Sequence, residues 1–273
     1  MITASLVLYK SKVSEVERVL GCVENSIIDK VYVIDNSPTD DLRKVVKQAG
    51  PKKASYAQGH GNIGYGEGNN IGIRQALDAG SEYHAILNPD IIFEPEVIEH
   101  LRDYMAAHEE AGFIKPALTN VDGSFEGSAM LLPTPLVTFG RRMFPNWLVE
   151  KVNRRFELKD VDLTVTRNVP NFSGSFMFIR SSVFHIVGLF DDRYFMYFED
   201  FDLVRRIHKV SQTVYYPHDT IIHAHAAEHR RNKKLLMLSI RAGIKYYNKW
   251  GWFFDSDRKK WNKEALSPKS ILE

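Results

Sequence analysis

Short apolar runs alternate with segments whose apolar residues recur every three or four positions along the first half of the chain. Ile2 to Leu8 reads as a strand, Val13, Val16, Val19 and Leu20 share one helical face, and Val31 to Ile34 reads as a second strand. Strand, helix and strand within about 35 residues make a βαβ unit, whose parallel sheet must be covered on both faces. Leu42, Val45 and Val46 predict a further helix, as do Ile71, Ile73, Ala76 and Leu77. Ala85 to Leu87 suits a buried strand, which stops at Asn88-Pro89-Asp90 because proline has no N–H for a ladder. A helix with Val97, Leu101 and Met105 and a strand over Phe113 to Ala117 follow. From Thr119 to Arg167 the pattern loosens around Gly123, Gly127, Pro133, Pro135 and Pro145, and this stretch is expected to shape a substrate pocket. Order returns with a strand at Phe176 to Arg180, a short helix with Val183, Phe184 and Val187, a helix with Leu203, Ile207 and Val210, and strand segments Val214 to Tyr216 and Thr220 to Ile222.

The expected fold class is therefore α/β, with a mostly parallel central sheet flanked by helices. Ligands of such open sheets bind outside the carboxyl ends of the strands. Asp35 and Asp90 both stand there, each followed or preceded by residues that also make good turns, so turn and ligand site are both open for Asp35-Asn36-Ser37-Pro38 and Asn88-Pro89-Asp90. Between them lies a glycine-rich segment, Gly59 to Asn70, followed by a helical pattern. Glycines permit close approach to a ligand and the helix that follows offers a positive end to an anion, although the segment matches neither a Walker loop nor a Rossmann fingerprint.

The densest chemistry is in Tyr194 to Arg206. Glu199, Asp200 and Asp202 follow a run of aromatic and apolar residues. Acids in a first helical turn are favoured by the helix dipole, yet an acid set against rings has its pKa raised, as suits a general base. Asp202 and Arg206 are spaced for an i,i+4 pair. His223 and His225 point to one face of an extended segment, as metal ligands or as surface residues.

Composition narrows the class. A chain of 273 residues, 44% hydrophobic and 26% charged, suits one large α/β domain with an appended tail, and a net charge of +2 gives no reason to expect nucleic acid. The only cysteine, Cys22, excludes an intramolecular disulfide, which leaves a reducing cytosol as the default compartment. Neither a basic leader nor a run of about 18 apolar residues appears, so the expected location is cytoplasmic without a transmembrane anchor. After Arg230, lysines and arginines interleave with Leu235, Leu236, Ile244, Tyr247, Trp250, Trp252, Phe253 and Phe254. Such a basic amphipathic segment reads equally as a membrane-surface element and as a helix packed on its own domain.

Six motifs in order, Asp35-Asn36-Ser37, Asn62-x-Gly64-x-Gly66-x-Gly68-x-Asn70, Leu87-Asn88-Pro89-Asp90, Gly174-Ser175-Phe176-Met177, Phe198-Glu199-Asp200-x-Asp202-Leu203 and His223-x-His225, resemble those of family 2 glycosyltransferases of the GT-A fold. The similarity is to their bacterial rhamnosyltransferase branch and spans Ile2 to about Phe254. It implies a Rossmann-like sheet in residues 1–228, divided into a nucleotide-binding half, 1–118, and an acceptor and catalytic half, 119–228, with a helical extension over 229–273. It further implies a nucleotide-sugar donor, with Asp35, Asn36, Asn62, Gly64, Gly66, Asn70, Asn88 and Gly174 lining its site. Asp90 would ligate Mg²⁺ or Mn²⁺ at the diphosphate, joined by His223 or His225, and Asn88 stands where the family usually has the first acid of an Asp-x-Asp pair. Asp200, with Glu199 as second choice, would be the base of an inverting transfer. By the same resemblance the donor is dTDP-L-rhamnose and the acceptor a polyprenyl-linked bacterial surface glycan at the inner face of a membrane. A UDP-hexose transferase, a non-catalytic nucleotide-sugar binding module and a nucleotidyltransferase are the rivals, and a homo-oligomer is left open.

Overall fold

The computed structural model describes residues 1–140, 144–224 and 233–272. Its core is one sheet fed by alternating strands and helices: β1 (Ile2–Leu8), α1 (Val13–Asn25), β2 (Lys30–Asp35), α2 (Arg43–Ala49), β3 (Ala54–Gln58), α3 (Tyr65–Asp78) and β4 (Tyr83–Leu87). There follow β5 (Ile91–Ile92), α4 (Glu96–Ala107), β6 (Ala111–Thr119), β7 (Phe125–Glu126), β8 (Ala129–Met130), α5 (Pro135–Phe139) and α6 (Asn146–Phe156). The remainder comprises β9 (Arg167–Asn168), β10 (Asn171–Phe172), β11 (Phe176–Arg180), α7 (Ser182–Val187), α8 (Glu199–His208), β12 (Gln212–His223), α9 (Lys233–Trp250) and α10 (Ser256–Ala265).

The main strands lie in the order β3-β2-β1-β4-β11-β6-β12-β5. All neighbours from β3 to β4 are parallel, as are β6 and β12, while β11 runs antiparallel to both β4 and β6. Side chains alternate between the two faces as a pleat requires. Ala4, Leu6, Val33, Ala85, Leu87 and Phe178 meet Val16 and Leu20 of α1 and Ile98 and Leu101 of α4 on one side. Ile86, Phe113, Met177 and Ile179 meet Val183 and Phe184 of α7 and Leu203, Val204 and Ile207 of α8 on the other. With both faces covered, the strands read as continuous apolar runs, which made β1, β2 and β4 visible in the sequence.

Two features place chemistry at one edge. Because β11 is antiparallel, its amino end sits beside the carboxyl end of β4, and Asn88 N–H donates to Ser175 O at 3.0 Å. Strand β12 pairs with β5 so that His223 lies opposite Ile91, and Ala224 N–H donates to Asp90 O at 2.8 Å.

The glycine-rich segment differs from its expected form. Helix α3 already begins at Tyr65, so Gly66, Gly68 and Asn70 are helical rather than part of a loop. The reason is packing: a Cβ on Gly68 would stand 2.9 Å from Val7 Cγ2, so the missing side chain lets α3 lie close on β1. Strand β3 was not visible in the apolar pattern because it is only half-buried along its length. The two segments expected around Tyr216 and Thr220 form one strand, β12, interrupted by a register shift.

At the carboxyl end, α9 buries Ala242, Tyr246 and Tyr247 against Tyr194 and Phe198. Arg205 of α8 and Asp255, both almost wholly buried, form a bidentate pair at 2.7 and 2.8 Å, with the guanidinium over the Trp250 ring at 4.2 Å. One face of the basic tail is thus packed on its own domain; Arg230 and Arg231 lie outside the described residues.

Candidate active site

A cleft of about 470 Å³ opens at the carboxyl edge of the sheet, and Asn88, Gly174, Glu199, Asp200 and His223 all line it. Its wall also includes Tyr65, Glu126 and the apolar side chains of Met196, Tyr197, Phe198 and Phe201.

The acidic pair enters at the first turn of α8. Tyr197 and Phe198, just before it, hold left-handed φ angles of 71° and 67°, a conformation that costs a non-glycine residue about 1–3 kcal/mol. Phe198 is held there by the rings of Phe201, Tyr246 and Tyr247. Asp200 then accepts Gly174 N–H on Oδ2 at 2.8 Å and Phe201 N–H on Oδ1 at 2.8 Å. Gly174 leaves room for this: a Cβ there would meet Asp200 Cβ at 3.0 Å.

Burial pushes the Asp200 carboxyl up to about 6, against the pull of the two N–H donors and of the Lys115 cation. Glu199 is raised well above the usual range by burial and then by the charge of Asp200, and its Oε2 has no hydrogen-bond partner among the described residues. Adjacent buried carboxyls do not both ionise readily. The two N–H donors and Lys115 assign the charge to Asp200 and leave the proton on Glu199.

Lys115 was not singled out in the sequence, although a lone lysine inside the apolar run Phe113 to Ala117 is itself a signal. Wholly buried in β6, it donates to Ser173 O at 2.5 Å, Ser173 Oγ at 2.9 Å and Ser175 Oγ at 3.1 Å. Burial lowers its pKa to about 7, opposed by the charges of Asp200 and Glu126. The lysine therefore ties the turn that carries Gly174 to the strand beneath it.

His223 stands between two acids: Nε2 lies 3.3 Å from Asp90 Oδ2 and Nδ1 lies 3.0 Å from Glu126 Oε2. Burial alone would depress the imidazole, but hydrogen bonds to Asp90 and Glu126 outweigh it and push the pKa up to about 9. Among the described residues no group of three or more His, Cys, Asp or Glu is gathered as a complete metal cage. The donors nevertheless suit a hard divalent cation shared with a diphosphate, because Mg²⁺ is commonly held by one or two protein carboxylates and substrate phosphates. Asp90 supplies a carboxylate, His223 an imidazole nitrogen once a cation displaces its proton, and Asn88 a buried Oδ1 that has no hydrogen-bond partner among the described residues. His225 lies outside the described residues.

The remaining residues singled out in the sequence line the approach from β2. Asp35 ends that strand, buried, and accepts Ser37 N–H at 2.9 Å and Tyr56 Oη–H at 2.6 Å. Beside it a cavity of about 400 Å³ is bounded by Lys10, Ser37, Pro38 and Thr39. Asn36 donates to Gly64 O at 3.0 Å, and Asn62 Oδ1 accepts Gly64 N–H at 3.2 Å. Gly64 itself has φ +91°, and a Cβ there would lie 2.3 Å from Phe195 O. Gly66 brings α3 within contact of Glu199, its imagined Cβ standing 3.5 Å from Glu199 Cβ. Asn70 is engaged elsewhere: its amide bonds Glu67 and both backbone groups of Phe190, which fastens α3 to the segment leading into the acidic pair. Asp202, as its spacing predicts, pairs with Arg206 at 2.9 Å, and it also takes Lys249 and the Trp250 indole N–H from α9.

A mostly parallel sheet with one antiparallel insertion, acids at its carboxyl edge and an acidic helix N-terminus facing them define an α/β enzyme of the GT-A type. The chain belongs to glycosyltransferase family 2: the family model described as Glycosyl transferase family 2 matches residues 14–187. The N-acetylglucosaminyl-diphospho-decaprenol L-rhamnosyltransferase of Mycobacterium tuberculosis is 30% identical over 235 residues, covering 78% of this chain and 76% of that protein. Among solved structures, GalNAc-T7 with UDP, GalNAc and Mn²⁺ superposes with a TM-score of 0.63 at 13% identity, over 97% of this chain and 55% of that one. The mannosyltransferase PcManGT from Pyrobaculum calidifontis, in complex with GDP-Man and Mn²⁺, superposes at 0.59 with 14% identity, over 91% of this chain and 63% of that one. These likenesses establish the fold.

Proposed function

We propose that this glycosyltransferase moves L-rhamnose from dTDP-L-rhamnose to a hydroxyl of a polyprenyl-diphosphate-linked glycan, with inversion at the anomeric carbon. The observation that carries the sugar and the acceptor class is the 30% identity over 235 residues to a rhamnosyltransferase named for a decaprenol-linked substrate. In this reading residues 1–118 hold the donor and 119–228 present base and acceptor, while helix α9 of the 229–273 extension braces the catalytic turn.

Asp35, Asn36, Asn62 and Gly64 receive the nucleoside, and Asp90, His223 and Asn88 would hold Mg²⁺ or Mn²⁺. A cation held there would supply positive charge to stabilise the leaving diphosphate. The protein's own residues do the rest. Ionised Asp200, fixed by Gly174 and Phe201, takes the proton of the acceptor hydroxyl. The freed oxygen pair forms the new bond to the anomeric carbon as the carbon–oxygen bond to dTDP breaks and its electrons leave with the diphosphate. Glu199, protonated beside the base, spares it a second negative neighbour. The apolar wall formed by Met196, Tyr197, Phe198 and Phe201 excludes water and gives the sugar ring a face to lie against.

The test offers dTDP-L-rhamnose, UDP-glucose and UDP-galactose in parallel to purified protein with Mg²⁺ or Mn²⁺, with and without EDTA. Selective, EDTA-sensitive release of dTDP is the expected result, with inverted product stereochemistry by NMR. Release of UDP alone would overturn the donor, and binding without turnover in an acceptor screen would overturn the enzymatic reading.

A further inference from the structure

A cavity of about 920 Å³ shares no lining residue with the catalytic cleft. It is a groove between α5, α6 and α10, floored by Leu132, Val137, Val152 and Phe156. Arg155, Lys259 and Lys263 stand around it, and none of the three forms an ion pair among the described residues. Asp255, also on the groove, is neutralised by Arg205 and Arg258. What remains is an apolar trough with uncommitted positive charge at its edge.

Phe253 and Phe254 form its lip and are 80% and 98% exposed. Loose chain does not explain this exposure. Gly251 turns the chain with φ +100°, and a Cβ there would stand 2.5 Å from Phe254 O. The buried Arg258 guanidinium donates to Gly251 O at 3.4 Å and Trp252 O at 3.0 Å, and Asp255 caps α10 by accepting Arg258 N–H at 2.9 Å. An ordered turn therefore holds two phenyl rings in water, beside cations. Helix α9, which leads to this turn, exposes Leu236, Met237 and Ile244 as well. No helix among the described residues is long and apolar enough to cross a membrane.

We infer that this face docks on a bilayer containing anionic lipids. Phe253 and Phe254 enter the interfacial region, Arg155, Lys259 and Lys263 meet lipid phosphates, and the trough receives acyl carbon. Charge complementarity selects this occupant, since an apolar protein partner would leave the three cations unanswered. The inference extends the proposed lipid-linked acceptor: α9 runs from Leu235 and Ser239 at the catalytic cleft to the turn, roughly 20 Å along its axis, so a docked wedge keeps the cleft near the lipid surface.

The test is co-sedimentation of the full chain with phosphatidylcholine vesicles and with vesicles carrying about 30% phosphatidylglycerol, at low and high salt. Sedimentation with the anionic vesicles alone, reversed by salt, is expected. Phe253→Ser with Phe254→Ser, and separately Lys259→Glu with Lys263→Glu, should each lower the partition coefficient about tenfold or more. Melting temperature and dTDP-L-rhamnose binding should stay unchanged in both. Wild type left in the supernatant, equal sedimentation with both vesicle types, or variants that sediment like wild type would each overturn the inference. The assay uses no nucleotide sugar for its main readout, so its failure is separable from failure of the proposed reaction.

Discussion

Asp200→Asn should make the protein inactive and, at neutral pH, more stable. The carboxyl is raised from an ordinary 3.8 to about 6 because ionising it in the buried cleft wall costs more than its donors return. A difference of about two decades in proton affinity is worth about 3 kcal/mol. The sign follows from linkage: the folded protein binds this proton more tightly than the unfolded chain, so this carboxyl's contribution to wild-type stability is fully present below about pH 4 and is lost as pH rises through about 6. Asparagine keeps the shape and never ionises, which removes that cost. It also accepts through only one oxygen, so one of the Gly174 and Phe201 N–H groups loses its partner, a penalty of about 1–2 kcal/mol. The net expectation at pH 8 is a variant about 1–2 kcal/mol more stable than wild type, an advantage that vanishes and reverses near pH 4. Transfer should fall about a hundredfold to ten-thousandfold, the usual share of a general base, with donor affinity little changed. Urea unfolding of both proteins from pH 4 to 8.5, alongside a transfer assay, tests both halves. A variant less stable than wild type at pH 8, or one that retains near-wild-type turnover, would refute the reasoning.

Lys115→Met should raise the Asp200 pKa further, because it removes the cation that favours the carboxylate, and so move the acid limb of the pH–rate profile above about pH 6. Equal loss at every pH would mean that Lys115 only holds the Ser173 to Ser175 turn. Asp90→Ala should raise the Mn²⁺ concentration for half-maximal transfer about tenfold or more after EDTA treatment, and an unchanged requirement would remove Asp90 from the ligand set. Arg205→Met leaves buried Asp255 without its bidentate partner and should cost about 3–5 kcal/mol, seen as a Tm lower by about 10 °C; a shift of only a degree or two would show that Arg258 suffices.

How legible the fold was depended on burial. Strands covered on both faces, such as Ala85 to Leu87 and Phe176 to Arg180, announce themselves as apolar runs, and the break at Pro89 marks where the strand must end. The half-buried edge strand Ala54–Gln58 carries no such contrast. The start of α3 was hidden because glycine is a poor helix former by propensity, whereas here Gly66 and Gly68 are helical because the sheet and the acidic turn press against them. Local sequence alone put Asp35, Asp90, Glu199, Asp200 and His223 at or near element ends, with turn, cap or surface position and ligand site both open, and it gave the Asp202–Arg206 pair from spacing. Tertiary structure decided what surrounds each of them. The antiparallel course of β11 brings Gly174 onto Asp200, the β12 register puts His223 against Asp90, and Lys115 reaches the same turn from a strand far away in sequence. Lys249 and Trp250 make Asp202 a fastening for α9 rather than a group of the cleft. Spacing along a chain determines which residues share a face or an end, but pKa and partnership depend on burial and on distant neighbours, and those exist only once the sheet has assembled.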